Sequence, residues 1–230
     1  MELGYRVEPA AERLSADLVD QLREYDVADL ADTMRHAGTM FGIRGVYQPI
    51  DRIAGPAVTL SVTVANIDML RVALDTCQRG DVLVINARGA VTTAMLGGYM
   101  SLALVNRGVA GVVVDGAVRD AHEMRKHGLA VFARGVTTNG AARTAPGEVN
   151  VPVACGGVVV NPGDVIVADE GGIVAIPPAA VPGVLAKAAD LVAVHRGWDE
   201  EVARGEIFGL ADSRARALAD GLKFPTTDAK

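Results

Sequence analysis

An uninterrupted apolar run near the middle of the chain constrains the fold more than any other segment. Residues 109–114 are all apolar, and such a run predicts a strand buried on both faces, as in a parallel sheet covered by helices. The run leads through residues 115–118 into a helical pattern that begins near Arg119 and Asp120. Because neighbouring residues on a helix do not face each other, we expect these two side chains to bind different partners.

Strand and helix patterns alternate on both sides of this run. Strands are predicted over 56–64, 82–86 and 130–135, and helices over 67–76 and 92–106. Asn66 is the expected N-cap of the first of these helices. Gly97 and Gly98 interrupt the second, and because paired glycines weaken a helix, its regular part is expected to begin after them.

The two ends of the chain are predicted to be helical. Ser15 is expected to cap a helix ending near Tyr25, and Asp26 a helix over 27–37 that Gly38 closes at its C′ position. Residues 151–176 indicate short strands and tight turns, and a helix is predicted over 179–195. We therefore predict one α/β domain over 1–230, with an N-terminal helical arm (1–55), a core (56–177) and C-terminal helices (178–230).

Composition excludes several classes of function. The net charge is −6 and no Lys/Arg block occurs, which argues against a broad nucleic-acid-binding surface. No apolar stretch reaches the length of a membrane span, and the N-terminal residues have no apolar signal segment. The two cysteines lack a metal-binding spacing and are expected to be buried thiols. A cytoplasmic protein without a nucleic-acid or membrane partner is the resulting expectation.

Two short motifs are candidates for a binding site. Backbone amides at Gly97, Gly98, Tyr99 and Met100 could form an anion cradle at a helix N-terminus, although the glycines could equally serve close packing. Arg119 and Asp120 could be an ordinary exposed first turn. Their position after a buried strand favours a site, because open α/β sheets bind ligands at that edge. A divalent metal on the aspartate and a substrate carboxylate on the arginine would use both side chains.

Other polar residues carry less information. The four histidines have no zinc-ligand spacing, and no Ser/His/Asp arrangement or phosphate-binding lysine is recognisable. Residues 169–172 are interpreted as a turn between strands. Glu200 and Glu201 are expected on a solvated helix face.

Several motifs, taken in order and spacing, resemble one family. They are residues 97–101, 107–111, 115–120, 131–135 and 152–164, followed by Asp169 and Gly172. Together they cover roughly residues 56–177 and are similar to the 4-hydroxy-4-methyl-2-oxoglutarate aldolases and the regulator of ribonuclease E activity A. The resemblance implies a swivelling β/β/α fold like the phosphohistidine domain of phosphotransfer enzymes. It also implies a homo-oligomer, a trimer or a hexamer, with active sites between subunits.

The resemblance further implies a reaction and roles for residues. The reaction is class II pyruvate aldolase chemistry with Mg²⁺ or Mn²⁺ on a small 2-oxo acid, with possible oxaloacetate decarboxylation. Asp120 would be the direct metal ligand, Arg119 would hold substrate oxygens, and the amides of residues 97–100 would receive the pyruvyl carboxylate. No Schiff-base lysine is required.

One position departs from the family pattern. The aldolases usually carry an acidic residue 21 positions before the arginine, where it orders a water for proton transfer, and here that position is Gly98. Candidate replacements are Asp115, Glu170, and Glu200 or Glu201 from a neighbouring subunit.

These observations leave three candidate functions. A metal-dependent carbon–carbon lyase is the leading hypothesis, and a non-catalytic regulator that binds a ribonuclease or another protein is the alternative. Methyl transfer to a quinone is disfavoured because no glycine-rich cofactor loop is recognisable.

Overall fold

The computed structural model describes residues 3–63, 66–141 and 146–223. Its strands are β1 Tyr5–Val7, β2 Arg44–Gly45, β3 Ile53–Val62, β4 Val82–Ala94, β5 Gly111–Val118, β6 Ala130–Val136, β7 Gly147–Val149, β8 Val153–Cys155, β9 Val158–Val160, β10 Val165–Asp169 and β11 Gly172–Ile176. Its helices are α1 Ala16–Arg23, α2 Val27–Thr33, α3 Ile67–Thr76, α4 Gly98–Arg107, α5 Ala121–His127, α6 Val181–Ala203 and α7 Leu210–Ala219.

A mixed sheet with a parallel centre organises the chain. Its hydrogen-bonded order is β1-β7-β3-β4-β5-β6-β2, and β3, β4, β5 and β6 are mutually parallel neighbours. An antiparallel hairpin of β10 and β11 joins β3 at the side, and β8 pairs with β9 separately. The predicted α/β class is confirmed. Parallel neighbours bring the carboxyl ends of β4 and β5 to one edge, where the helices that follow them begin.

The central strand is buried along its whole length. All eight residues of β5 are buried, as the apolar run predicts, although the strand begins at Gly111 rather than at Val109. Helices α3, α4 and α5 cover one face of the sheet with residues such as Leu70, Leu104 and Met124. Residues of β8, β9 and the β10–β11 hairpin pack on the other face. Apolar residues thus fix the sheet from both sides.

The N-terminal segment contributes to the sheet as well as to helices. Helices α1 and α2 pack against β10 and β11, while β1 and β2 pair with β7 and β6. The predicted helical arm over 1–55 therefore also contains two short strands, and part of this segment lies in the sheet.

Helix α2 ends four residues earlier than predicted. It stops at Thr33, and Arg35 and His36 adopt positive φ angles of 52° and 62° before Gly38. Gly38 has a different role from the predicted C′ glycine, because a Cβ there would lie 2.2 Å from the carbonyl oxygen of Ala175. The missing side chain allows the backbone to approach β11.

The predicted helix over 92–106 is partly wrong. Strand β4 continues to Ala94, and α4 starts at Gly98. The register between β4 and β5 shifts after Asn86, where Arg88 and Gly89 have positive φ angles. Such irregularities let a strand continue although its residues no longer alternate regularly.

The chain divides into two units, Met1–Ala188 and Ala189–Lys230. In the second unit, the indole of Trp198 lies 5.0 Å from the ring of His195 and 5.1 Å from the ring of Phe208. Among the described helices, none is both long and apolar enough to cross a membrane.

Candidate functional site

The turn after β5 holds the predicted pair in an unexpected conformation. Asp120 is the N-cap of α5 and has left-handed backbone angles, φ 58° and ψ 40°. Its Oδ2 lies 3.4 Å from Nε of Arg119. The prediction that these side chains do not face each other is wrong, because Asp120 is outside the helix and the geometry of helical neighbours does not apply to it. The Arg119 amide donates to the carbonyl of Leu96 at 2.9 Å, which fixes the turn against the segment before α4.

The glycine pair lies directly against this turn. The amide of Gly98 donates to Oδ2 of Asp120 at 3.0 Å. A Cβ on Gly97 would lie 2.9 Å from that same oxygen and 3.0 Å from Nε of Arg119. Gly97 is the N-cap of α4 and Gly98 its first residue, so the helix begins one residue earlier than predicted. The glycines were interpreted either as a packing contact or as a binding site. Both interpretations concern the same contact, that of Gly97 and Gly98 with Asp120.

Two cavities meet at these residues. The first, about 100 Å³ in volume, is lined by six predicted site residues together with apolar neighbours; the six are Gly97, Gly98, Tyr99, Met100, Arg119 and Asp120. The second, about 360 Å³, is lined by Gly98, Tyr99, Leu102, Asp120, Glu123 and His127. Asp120 lies on the border of both. The structure thus brings the glycine motif and the Arg–Asp motif into one place.

One oxygen of the Asp120 carboxylate makes no hydrogen bond with the described residues. Its contacts with the Gly98 amide and Arg119 are both made through Oδ2, and no residue of the described ranges donates to Oδ1. The side chain is 40% exposed. Within the described residues there is no cluster of three or more His, Cys, Asp or Glu that could cage a metal. One available carboxylate beside open space suits Mg²⁺, which usually keeps several waters and takes one or two protein carboxylates.

A loop after β6 contributes to the surroundings of the Arg119 guanidinium. A Cβ on Gly140 would lie 2.8 Å from Nη1 of Arg119. The loop is tied to β4 because the amide of Ala94 donates to the carbonyl of Asn139 at 2.9 Å. The sequence predicts a loop here but carries no signal that this loop lies at the site.

Similarity to known proteins identifies the family of this chain. A model of the RraA-like family, described as Aldolase/RraA, matches residues 17–175. The chain belongs to the RraA-like family. It is 36% identical over 173 residues to a Halalkalibacterium halodurans protein named "Putative 4-hydroxy-4-methyl-2-oxoglutarate aldolase", which covers 75% of this chain and 82% of that protein. A Thermus thermophilus protein named 4-hydroxy-4-methyl-2-oxoglutarate aldolase is 39% identical over 126 residues, 55% of this chain and 76% of that protein.

A solved structure supports the fold of this RraA-like chain. Streptomyces coelicolor RraAS2, described as an unusual member of the RNase ES inhibitor RraA protein family, is similar with a TM-score of 0.74 at 31% identity. The similarity covers 84% of this chain and 98% of that one. The predicted family is therefore confirmed. Arg119, Asp120 and the glycine pair all lie inside the matched range, whereas Glu200 and Glu201 lie beyond it.

Asp115 has a structural role in this RraA-like fold. It is 7% exposed, and its carboxylate accepts hydrogen bonds from Nε and Nη2 of Arg134 and from the Gly156 amide at 2.8 Å. Burial raises the pKa of Asp115, but the hydrogen bonds from Arg134 and from the backbone outweigh that effect, so the pKa lies below its usual value. Asp115 does not line either cavity. It was a candidate for proton transfer, and the structure assigns it to an ion pair.

The remaining acidic candidates lie in other places. Glu170 is at the β10–β11 turn, as predicted for residues 169–172, and lines a separate cavity with Asp26 and Arg52. Glu200 and Glu201 are in the part of α6 that belongs to the second unit. Glu201 accepts a hydrogen bond from the amide of Gly209 at 2.8 Å.

One polar group beside the site was missed by sequence reasoning. Ser101 Oγ donates to the carbonyl of Gly98 at 2.7 Å and lies 2.8 Å from Nδ1 of His127. Nε2 of His127 lies 3.5 Å from Oε2 of Glu123. Ser101 is fully buried and already donates its proton, so it is not an activated nucleophile. The i, i+4 spacing of Glu123 and His127 was the only signal available in the sequence.

Proposed function

We propose that this RraA-like protein is a divalent-metal-dependent lyase that releases pyruvate from a 4-hydroxy-2-oxo acid, of the 4-hydroxy-4-methyl-2-oxoglutarate type, or from oxaloacetate. The observation that carries the proposal is the arrangement of Asp120. Its carboxylate is held through Oδ2 by the Gly98 amide, adjoins Arg119, and keeps Oδ1 for a ligand at the border of two cavities. The names of two relatives agree with an aldolase.

Asp120 would hold the cation, Mg²⁺ or Mn²⁺, through Oδ1. When bound, the cation supplies Lewis-acid polarisation of a 2-oxo group. The Gly98 amide keeps the carboxylate in place, because a hydrogen bond to Oδ2 restricts rotation of the side chain. Since that amide is engaged, it is not available to the substrate.

Arg119 and the first turn of α4 would bind the negative groups of the substrate. The Arg119 side chain is 45% exposed, and its guanidinium can donate two parallel hydrogen bonds to a carboxylate. The amides of Tyr99 and Met100 have no partner within the helix, because they belong to its first turn. Together these donors would orient the 2-oxo acid and stabilise negative charge that develops during bond cleavage.

Pyruvate release tests this proposal directly. Purified protein is incubated with a panel of 4-hydroxy-2-oxo acids and with oxaloacetate, with Mg²⁺, with Mn²⁺ and with a chelator. Asp120→Asn should abolish the metal-dependent rate, and Arg119→Ala should lower kcat/KM by about 100- to 1000-fold. Asp20→Asn, an exposed aspartate on α1, is the matched control and should retain the full rate. Absence of pyruvate from every acid with both metals would refute the proposal.

A homo-oligomer, trimer or hexamer, belongs to the same proposal. In it, Glu200 or Glu201 of one subunit would approach the site of a neighbour. Sedimentation equilibrium gives the assembly state, and Glu200→Gln and Glu201→Gln, assayed separately, show whether either glutamate affects the rate. A monomer that is fully active would contradict this part.

A second candidate function is regulation of a ribonuclease by binding. It is favoured by exposed apolar side chains beside the site, since Tyr99 is 93% exposed and Leu102 43% exposed. RraAS2, a similar protein, is described as belonging to an RNase ES inhibitor family. Inhibition of a purified RNase E-type enzyme that is lost in Tyr99→Ala and kept in Asp120→Asn would favour this function over the lyase.

A further inference from the structure

We propose that Glu123 is the catalytic carboxylate that moves the substrate's hydroxyl proton at this site, an inference that rests on the proposed lyase function. Of the described residues that line the two cavities, Asp120 and Glu123 are the two carboxylic acids. If Asp120 holds the cation, Glu123 is the remaining carboxylate able to accept a proton from a substrate bound between them.

The side chain of Glu123 occupies the space beside Gly98. A Cβ on Gly98 would lie 3.1 Å from Cβ and 3.3 Å from Cγ of Glu123, and 3.7 Å from Cβ of Asp120. The glycine therefore leaves room into which the glutamate stem packs. A side chain at position 98 and the side chain of Glu123 compete for one place, so a carboxylate could reach this place from either position.

Neighbouring groups hold Glu123 at the cavity. Its side chain is 34% exposed, and Oε2 lies 3.5 Å from Nε2 of His127. The Ser101 hydroxyl lies 2.7 Å from the Gly98 carbonyl oxygen and 2.8 Å from Nδ1 of His127, and this contact orients the imidazole with Nε2 towards the carboxylate. Nε2 of His122 lies 3.3 Å from Oε1 of Glu123, and Nζ of Lys126 lies 3.7 Å from its Oε2. These contacts connect the glutamate to the first turn of α4, the same turn that holds Asp120.

The proton balance of the cleavage is complete with this one group. The carboxylate of Glu123 accepts the proton of the 4-hydroxyl, and the O–H electron pair forms the carbonyl of the leaving product. The C3–C4 bond breaks, and its electron pair stays on C3 in the enolate of pyruvate. Glu123 then returns the proton to C3, which becomes the methyl group of pyruvate. No oxidant, reductant or other co-reactant is needed.

A carboxylate exchange between positions 98 and 123 tests the assignment. The variants are Glu123→Gln, Glu123→Ala, Gly98→Asp, and Gly98→Asp combined with Glu123→Ala. Gly98 does not have a positive φ, and aspartate is favourable in the first turn of a helix, so the new residue suits the backbone. Glu170→Gln, which removes a glutamate from a different cavity, is the matched control.

Three measurements are made on each variant: pyruvate release, exchange of the pyruvate methyl protons with D₂O followed by NMR, and Mn²⁺ affinity by calorimetry. Glu123→Gln and Glu123→Ala should slow release and methyl exchange by about 100-fold or more. Mn²⁺ affinity should stay within about 3-fold of wild type, because the metal ligand is unchanged. The double variant should recover about 10-fold or more over Glu123→Ala, whereas Gly98→Asp alone should not exceed wild type.

The outcomes separate this inference from the proposed function. If wild type releases pyruvate and Glu123→Gln does so at the same rate, the role of Glu123 is refuted and the lyase stands. If the glutamate variants lose Mn²⁺ binding in parallel with activity, Glu123 supports the metal rather than the proton, which also overturns the inference. If wild type itself is inert, the lyase proposal fails first and takes the inference with it. Thermal melts that match wild type show that the variants are folded.

Discussion

The Gly98 amide and Oδ2 of Asp120 are 3.0 Å apart and hydrogen-bonded, across 22 positions of sequence. This bond joins the start of α4 to the left-handed turn after β5. It directs one carboxylate oxygen towards the protein, whereas the other accepts no hydrogen bond from the described residues. Under the proposed function, binding at the site depends on how closely two backbone segments approach each other, as well as on the residues they carry.

The first prediction concerns that close approach. Gly97→Ala would add a Cβ 2.9 Å from Oδ2 of Asp120 and 3.0 Å from Nε of Arg119, which forces both side chains to move. We expect Mn²⁺ affinity, measured by calorimetry, to fall by about 10-fold, a loss near 1.4 kcal/mol. Gly183→Ala on α6 is the control, because its Cβ would meet nothing within 4 Å. Unchanged affinity in Gly97→Ala would show that the site tolerates the displacement.

The second prediction is a pH dependence at Asp115. Its pKa is lower in the folded protein than in the unfolded chain, so its contribution to stability is present above the unfolded pKa of about 3.9 and is lost as pH falls through the folded pKa. Asp115→Asn should lower the free energy of unfolding by about 1.5–3 kcal/mol at neutral pH. Urea denaturation should show that difference narrowing below about pH 4. A difference that is constant with pH would contradict the ion pair with Arg134.

The third prediction compares two aspartates at the start of α2. Asp26 is the N-cap by position but makes no capping hydrogen bond, whereas Oδ2 of Asp169 accepts from the Val27 amide at 3.2 Å and lies 3.2 Å from Nε of Arg52. Asp169→Ala should therefore destabilise the protein by about 1–2 kcal/mol. Asp26→Ala, which removes an exposed partner of Arg52, should cost about 0.5 kcal/mol. The reverse order in denaturant titrations would disprove this assignment of the cap.

The fourth prediction is that both thiols are inert in the folded protein. Burial is the main cause that raises the pKa of Cys77 and of Cys155 to about 12. Since the thiolate is the reactive form, a colorimetric disulfide reagent should label neither cysteine at about pH 8. Both should react after unfolding in guanidinium chloride. Rapid labelling of native protein would mean that one of the two regions opens readily.

Sequence patterns predicted the regular strands and helices most accurately. The apolar run identified β5, and Asn66 was correctly predicted to cap α3, where its side chain accepts from the amides of Asp68 and Met69. The end of β4 was predicted poorly, because residues after Asn86 bulge and lose the alternation that identifies a strand. The role of Gly38 was missed because its carbonyl pairs with Ala175, a residue far away in the chain.

The candidate site, too, was predicted in part from the sequence and decided in part by contacts between distant residues. Residues 97–100 with Arg119 and Asp120 were singled out from the sequence, and the structure places them on one cavity. Asp115, a candidate replacement for the acid missing at position 98, forms an ion pair with Arg134 in the structure. Nothing in the sequence distinguished an acid that faces the cavity from an acid that ties β5 to β6.

By itself, the sequence determined the alternation of strands and helices, the buried central strand and the residue types available for chemistry, because these follow from local periodicity and side-chain composition. Tertiary structure alone decided three relationships. The backbone of Asp120 is in the left-handed region and its carboxylate contacts Arg119. The Gly98 amide donates a hydrogen bond to that carboxylate, and the Glu123 side chain fills the space beside Gly98. The physical reason is that the contacts of Gly98 with Asp120 and with Glu123 depend on how closely α4 and α5 pack at the edge of the sheet. The left-handed turn likewise depends on the hydrogen bonds that surrounding segments offer it.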